Sequence, residues 1–269
     1  MPEIFQYGFM VRAFLAGSMI AIITPLIGIF LVLRRYALIA DSLSHVALAG
    51  IAIGLLLNVY PLLTAILTCV VAAICIDQLR TSKKISSDSA LSLLLSASLA
   101  IALTIISLAK GLNVNIFGYL FGSITAIENI DLIMIAALGV AVITSIFAFY
   151  KEFMYVAFDE ETAQVSGIPV KKLNLLLMIL TAITVTLAMR IVGVLLVGAL
   201  IVIPVLTGLQ LSKSFRQTLG FAITAALISV WSGLFLSFYM NIVAGASIVL
   251  TSFVLFILAL IFGNLSKRR

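Results

Sequence analysis

Charge is what this chain has least of. Asp, Glu, Lys and Arg make up 10% of its 269 residues, while 64% are hydrophobic. Soluble domains carry about 25% charged residues and about 45–50% apolar ones. A soluble fold is therefore excluded, and an all-α polytopic integral membrane protein is expected. Histidine occurs once, at His45, so a zinc-protease HExxH pair cannot be assembled. No GxxxxGK[ST] occurs, so the chain lacks a P-loop with which to handle ATP itself. The two cysteines, Cys69 and Cys75, fall in one apolar run and form neither a CxxC pair nor a disulfide framework. The start, Met1-Pro2-Glu3-Ile4-Phe5, lacks the basic region and cleavage site of a signal peptide, and it is expected to be retained.

A helix needs about twenty apolar residues to cross a bilayer core of roughly 30 Å. By that ruler the sequence predicts spans over about 13–33, 37–57, 61–79, 89–109 and 130–150. The stretch Gly111 to Glu128 is apolar but punctuated by glycine, and reads as a surface or re-entrant piece. After the polar stretch Lys151 to Lys172, the run of about 173–209 has Arg190 as its one charge and is long enough for two segments. Two more spans follow at about 217–239 and 243–263. The count is eight or nine, depending on whether the pair around Arg190 crosses fully.

Loop charges orient the chain. Thirteen of the sixteen basic residues (Arg34, Arg35, Arg80, Lys83, Lys84, Lys151, Lys171, Lys172, Lys213, Arg216 and the three of the tail) fall on one side. Only Arg12, Lys110 and Arg190 fall on the other. Positive loops face the cytoplasm, which places residues 151–172 and the C-terminus inside. The net charge of +6 thus encodes topology, and no nucleic-acid partner is expected.

Asp41 and His45 stand out within the second span. Spaced i and i+4, they share one helix face, where a carboxylate and an imidazole can hold a divalent metal. At a rise of 1.5 Å per residue, His45 lies about 15 Å beyond Arg35 and Asp41 about 9 Å. Ionisable groups at such depth are costly and read as functional. The small residues Ala40, Ser42, Ser44, Ala47, Ala49 and Gly50 suit a buried helix in close contact with neighbours. From spacing alone a metal or proton role stands beside a plainer one, with Asp41 capping its helix and His45 bonded to a neighbour.

In the cytoplasmic loop, Asp159 can cap a short acidic helix that Gly167 ends and Pro169 prevents from continuing. Such a helix has the form of a docking element, although a merely solvated connector fits as well. Arg190 reads as an interfacial residue, and Pro25 and Pro204 as kink sites.

With these residues laid out, the chain resembles the permease subunit of the metal-ion ABC importers, the family that takes up zinc, manganese and iron. Three stretches carry the likeness. Arg34-Arg35 followed by Leu38-Ile39-Ala40-Asp41-Ser42-Leu43-Ser44-His45-Val46-Ala47-Leu48-Ala49-Gly50 is similar to the family signature after the first helix. Glu161, Ala163 and Gly167 match the loop by which ABC permeases contact their ATPase, with Thr162 standing where a second alanine is usual. The run Arg190 to Pro204 resembles the segment that follows that loop.

The resemblance covers essentially the whole chain and implies a single transmembrane permease domain over 1–269. It implies a homodimer working with two cytoplasmic ATPases and an external metal-binding protein, in the plasma membrane of a prokaryote. It places Asp41 and His45 on the translocation path as metal-binding residues, with two copies supplying a four-coordinate set. The local sequence is closer to the zinc branch than to the manganese branch, which more often has proline near position 49. The metal would be cargo rather than a resident cofactor, and ATP would be hydrolysed elsewhere. A secondary transporter using Asp41 and His45 as a proton relay is the alternative from another class.

Overall fold

Eight helices are long and apolar enough to cross a bilayer in the computed structural model of this protein, which describes residues 3–81, 86–108 and 116–267. In chain order the helices are α1 (Gly8–Leu33), α2 (Leu38–Leu57), α3 (Pro61–Thr81), α4 (Ser87–Leu108), α5 (Ile116–Phe121), α6 (Asn129–Ala148), α7 (Tyr150–Phe158), α8 (Glu160–Val165), α9 (Val170–Val192), α10 (Val197–Leu211), α11 (Phe215–Met240) and α12 (Ala244–Lys267). Short 3-10 turns cover Glu3–Gln6 and Ile124–Ala126, and no strand occurs among the described residues. The chain is an all-α polytopic membrane protein. Lys83, Lys84, Lys110, Arg268 and Arg269 of the loop-charge count lie outside the described residues, as do positions 111–115 of the glycine-punctuated stretch.

Burial sorts the spans into centre and periphery. In α1, α2 and α9, 72% of the apolar window is buried, against 17% in α4. The α9 helix packs against both α1 and α2, with α3 and α4 laid against α2 and with α6, α10 and α11 against α1. Small residues make the tight contacts possible: Gly50 and Gly54 of α2 meet Thr64, Ala65 and Thr68 of α3, leaving no room for a larger side chain. The α2 helix stops where Asn58 turns left-handed (φ 53°) and the N–H of Val59 donates to the Gly54 carbonyl. Pro25 and Pro204 both sit inside helices that run on past them.

The chain turns back between α9 and α10. Arg34, at the end of α1, contacts the loop helix α8 and so marks the basic-loop side of the protein. At the other end of α10, Leu209 and Ser212 line a cleft with Leu33 and Phe158 on that same side. The 15-residue α10 therefore returns the chain to that side, a shorter apolar segment beside the eight long ones among the described residues. The N-terminal end of α1 lies opposite, where Phe9 borders a depression with Gly122, Ile124 and Asn241.

The described part of the glycine-punctuated stretch, from Ile116 on, packs against the chain between α9 and α10. Gly193 breaks the helix after α9 with φ +87°, a conformation open to glycine, and a side chain there would strike Leu120 and Gly122. The next two N–H groups, of Val194 and Leu195, donate to the carbonyls of Tyr119 and Leu120 at 3.0 and 3.2 Å. Non-helical backbone at membrane depth is tolerated where protein buries and satisfies it. That is the case here, because Val192 and Val194 are essentially inaccessible.

Candidate functional site

Asp41 and His45 lie one turn apart near the start of α2, and the residues between them are bonded into the bundle. Ser42 Oγ donates to the Leu91 carbonyl of α4 at 3.2 Å. Cys69 Sγ of α3 approaches the Leu43 carbonyl at 3.3 Å, and Ser44 Oγ donates to the Asp41 carbonyl at 2.8 Å. The side chains of Ser42, Leu43 and Ser44 are buried, while Asp41 and His45 are each half-buried on the remaining face. The helix face that carries both ionisable groups is thus held in place from α3 and α4.

Asp41 does not perform the plainer task of capping its helix. The N-cap of α2 is Ala37, without a side-chain capping bond, and Asp41 sits four positions into the helix. The Nδ1 atom of His45 is buried with no hydrogen-bond partner. An unsatisfied buried imidazole nitrogen costs free energy unless something binds it. Within one chain the donor set stops at two, since no group of three His, Cys, Asp or Glu side chains gathers around any point among the described residues.

The loop helix has the form the sequence predicts. Asp159 caps α8 by accepting from the Thr162 N–H at 2.9 Å and from its hydroxyl at 2.5 Å. These bonds hold the Asp159 carboxyl below the usual range. At the other end the N–H groups of Gly167 and Ile168 donate to the carbonyls of Gln164 and Ala163, closing a Schellman turn with Gly167 at φ +82°. Ala163 is fully buried against the bundle while Glu161 is exposed.

Two polar clusters escaped the sequence reading. Arg34, read there only as a topology marker, is 5% exposed and joins three elements. Its guanidinium donates to Asn174 Oδ1 of α9 at 2.5 Å and to Glu160 Oε2 of α8 at 2.7 Å, and Asn174 Nδ2 closes the ring on Glu160 Oε1 at 3.0 Å. Tyr36 lies beneath the guanidinium at 4.8 Å.

Arg190 corrects the expectation of a simple interfacial residue. It is 13% exposed and paired with Asp131, which is fully buried at the start of α6. Tyr60, just before α3, donates to the same carboxylate, and the Tyr119 ring stands 5.7 Å from the guanidinium carbon. One signal could have found the pair. The predicted topology puts a lone aspartate and a lone arginine at the same membrane level, where each needs an opposite charge.

Comparison with known proteins adds the family. The chain is 34% identical to the high-affinity zinc uptake system membrane protein ZnuB of Haemophilus influenzae over 248 residues, 92% of this chain and 95% of that one. It is 31% identical to the manganese transport system membrane protein MntC of Halalkalibacterium halodurans over 260 residues, 97% of this chain and 89% of that one. The fold superposes on PsaBC of Streptococcus pneumoniae, solved in complex with Fab, with a TM-score of 0.86 at 30% identity, covering 95% of this chain and 92% of that one. Residues 6–263, from before α1 to within α12, match the ABC 3 transport family, and to that family the chain belongs.

Proposed function

We propose that this chain is the membrane-spanning permease subunit of an ATP-driven metal-ion importer, with zinc as its cargo and alternating access as its mechanism. The observation that carries the reading is the Asp41–His45 face: two metal-competent groups half-buried inside an apolar bundle, with His45 Nδ1 lacking a protein partner. Two donors per chain suit a homodimer in which two copies supply two carboxylates and two imidazoles, enough for a four-coordinate ion. A set without thiolate binds less tenaciously than the cysteine-rich structural zinc sites, which suits an ion that must leave again.

ATP hydrolysis belongs to a separate pair of cytoplasmic ATPases, docked on α8 through the surface around Glu161, Ala163 and Gly167. The metal arrives from a binding protein outside the plasma membrane of a prokaryote. Zinc is favoured by the imidazole in the donor set. Relatives named for zinc and for manganese stand at similar identity, so manganese or iron import by the same route is the second reading.

The test is ATP-dependent accumulation of zinc, manganese and iron in vesicles holding the reconstituted complex, with His45→Ala and Asp41→Ala beside the wild type. Zinc uptake lost in both variants, with assembly intact, is the expected result. Normal uptake by His45→Ala refutes the site. Accumulation independent of ATP replaces the importer with a gradient-driven carrier.

A further inference from the structure

The metal site has a third wall. We propose that Gly198, in the first turn of α10, is a positioning residue that seats the Asp41 carboxylate; this rests on the reading of Asp41 as a metal ligand. A Cβ built on Gly198 overlaps Asp41 Oδ1 and falls 2.7 Å from Cγ and 3.2 Å from Oδ2. Real Cβ atoms do not approach a neighbour so closely, so a side chain at this position would force the Asp41 carboxylate to move. The carboxylate rests against the backbone of α10 because that position has no side chain.

The local fold explains why α10 begins at this point. After Gly193 the chain is held against α5 through Val194 and Leu195, and the helix resumes at Val197, inside the protein. Its N-cap is Leu196, which offers no side-chain acceptor, and its first helical N–H bond is made by Leu200 to Leu196. Val197 and Gly198 are both buried. The first turn of a helix presents unpaired N–H groups and the positive end of the dipole. The Asp41 carboxylate packs against the Gly198 backbone within that first turn. Helices interrupted within a membrane place such ends at substrate sites. Here the bare backbone at Gly198 seats the carboxylate, so that Asp41 and His45 stand in a fixed relation before the ion arrives.

The experiment compares Gly198→Ala, Asp41→Asn and wild type in the reconstituted complex, and measures zinc binding to the purified permease dimer without ATP. Gly198→Ala is expected to raise KM for zinc uptake at least tenfold and to weaken zinc binding to the same degree. Turnover at saturating zinc should fall less than threefold. Asp41→Asn should lose both binding and uptake.

Wild-type KM and zinc affinity in Gly198→Ala, with both lost in Asp41→Asn, overturns the seat while sparing the site. Wild-type affinity in Asp41→Asn overturns the site and the seat with it. If Gly198→Ala fails to assemble, the double variant Asp41→Gly/Gly198→Ala decides. Removing the carboxylate should restore assembly, because the two substitutions then no longer collide. A double variant that still fails to assemble places the role of Gly198 elsewhere and sinks the proposal.

Discussion

Asp131 and Arg190 form a two-point ion pair between α6 and α9, with Nη2 to Oδ2 at 2.6 Å and Nε to Oδ1 at 3.2 Å. The carboxylate also accepts from Tyr60 and from the Glu128 N–H. It therefore ties α6, α9 and the entry to α3 at the outer end of the bundle. Breaking a buried pair from one side strands the other charge, which costs about 3–5 kcal/mol. Asp131→Ala should lower the thermal stability of the solubilised protein by that order. The triple replacement Asp131→Leu, Arg190→Met, Tyr60→Phe should recover most of it. A stable Asp131→Ala protein would show that the pair fixes no part of the fold.

Arg34 does for the basic-loop end of the bundle what Arg190 does for the opposite one, with a different balance. Glu160 is 46% exposed, so the pair itself contributes only about 0–1 kcal/mol and weakens with salt. Its consequence lies in what it connects, since one guanidinium bonds α8 to the first turns of α9. Arg34→Met should leave assembly and melting temperature nearly unchanged. It should raise the number of ATP molecules spent per ion imported several-fold. Arg34→Lys should not rescue coupling, because one ammonium cannot replace the planar fork that serves Asn174 and Glu160 together. Wild-type coupling in Arg34→Met would remove this link from the transmission path.

The parts of this molecule legible in its sequence are those set by local chemistry. Long apolar runs gave the spans, the Asp159 and Gly167 caps gave α8, and the i, i+4 spacing gave the Asp41–His45 face. What stayed hidden depends on neighbours remote in sequence. Local spacing cannot pair Arg190 with Asp131, 59 residues away; only setting the two spans side by side by depth brings them together. Arg34 looked like a boundary charge because Asn174 and Glu160 meet it only after folding. Gly198 is one glycine among 17, and its meaning appears only when Asp41 is found against it.

The Asp159 cap predicts a pH and substitution pattern for α8. Its carboxyl titrates below the usual range because the Thr162 hydroxyl and N–H bond the charged form. The stabilisation is therefore complete above the ordinary aspartate range near pH 4. It is lost as pH falls through the lowered folded value, and is fully present at neutral pH. Asp159→Ala should speed hydrogen exchange at the amides of Glu161 and Thr162 several-fold at pH 7. Asp159→Asn, whose side-chain oxygen also caps helices well, should remain close to wild type. Equal exchange in all three would mean that tertiary contacts such as buried Ala163 hold the helix unaided.

Gly167 offers the sharpest separation between backbone geometry and surface contact in α8, the helix proposed to dock the ATPase. A Cβ placed there meets nothing within 4 Å, so a side chain causes no collision inside this subunit. The cost of substitution is conformational: φ is +82°, and a non-glycine residue in the left-handed region loses roughly 1–2 kcal/mol. Asparagine visits that region more readily than most residues. Gly167→Leu should therefore open the Schellman turn, release the Ile168 N–H from the Ala163 carbonyl and uncouple ATP hydrolysis from uptake. Gly167→Asn should retain most of the coupling, although its side chain is polar and projects into the same open space. If both variants uncouple equally, the ATPase packs directly on the Gly167 surface and the bare backbone is the contact. If neither does, the turn is dispensable and docking rests on the first turn of α8 around Glu161.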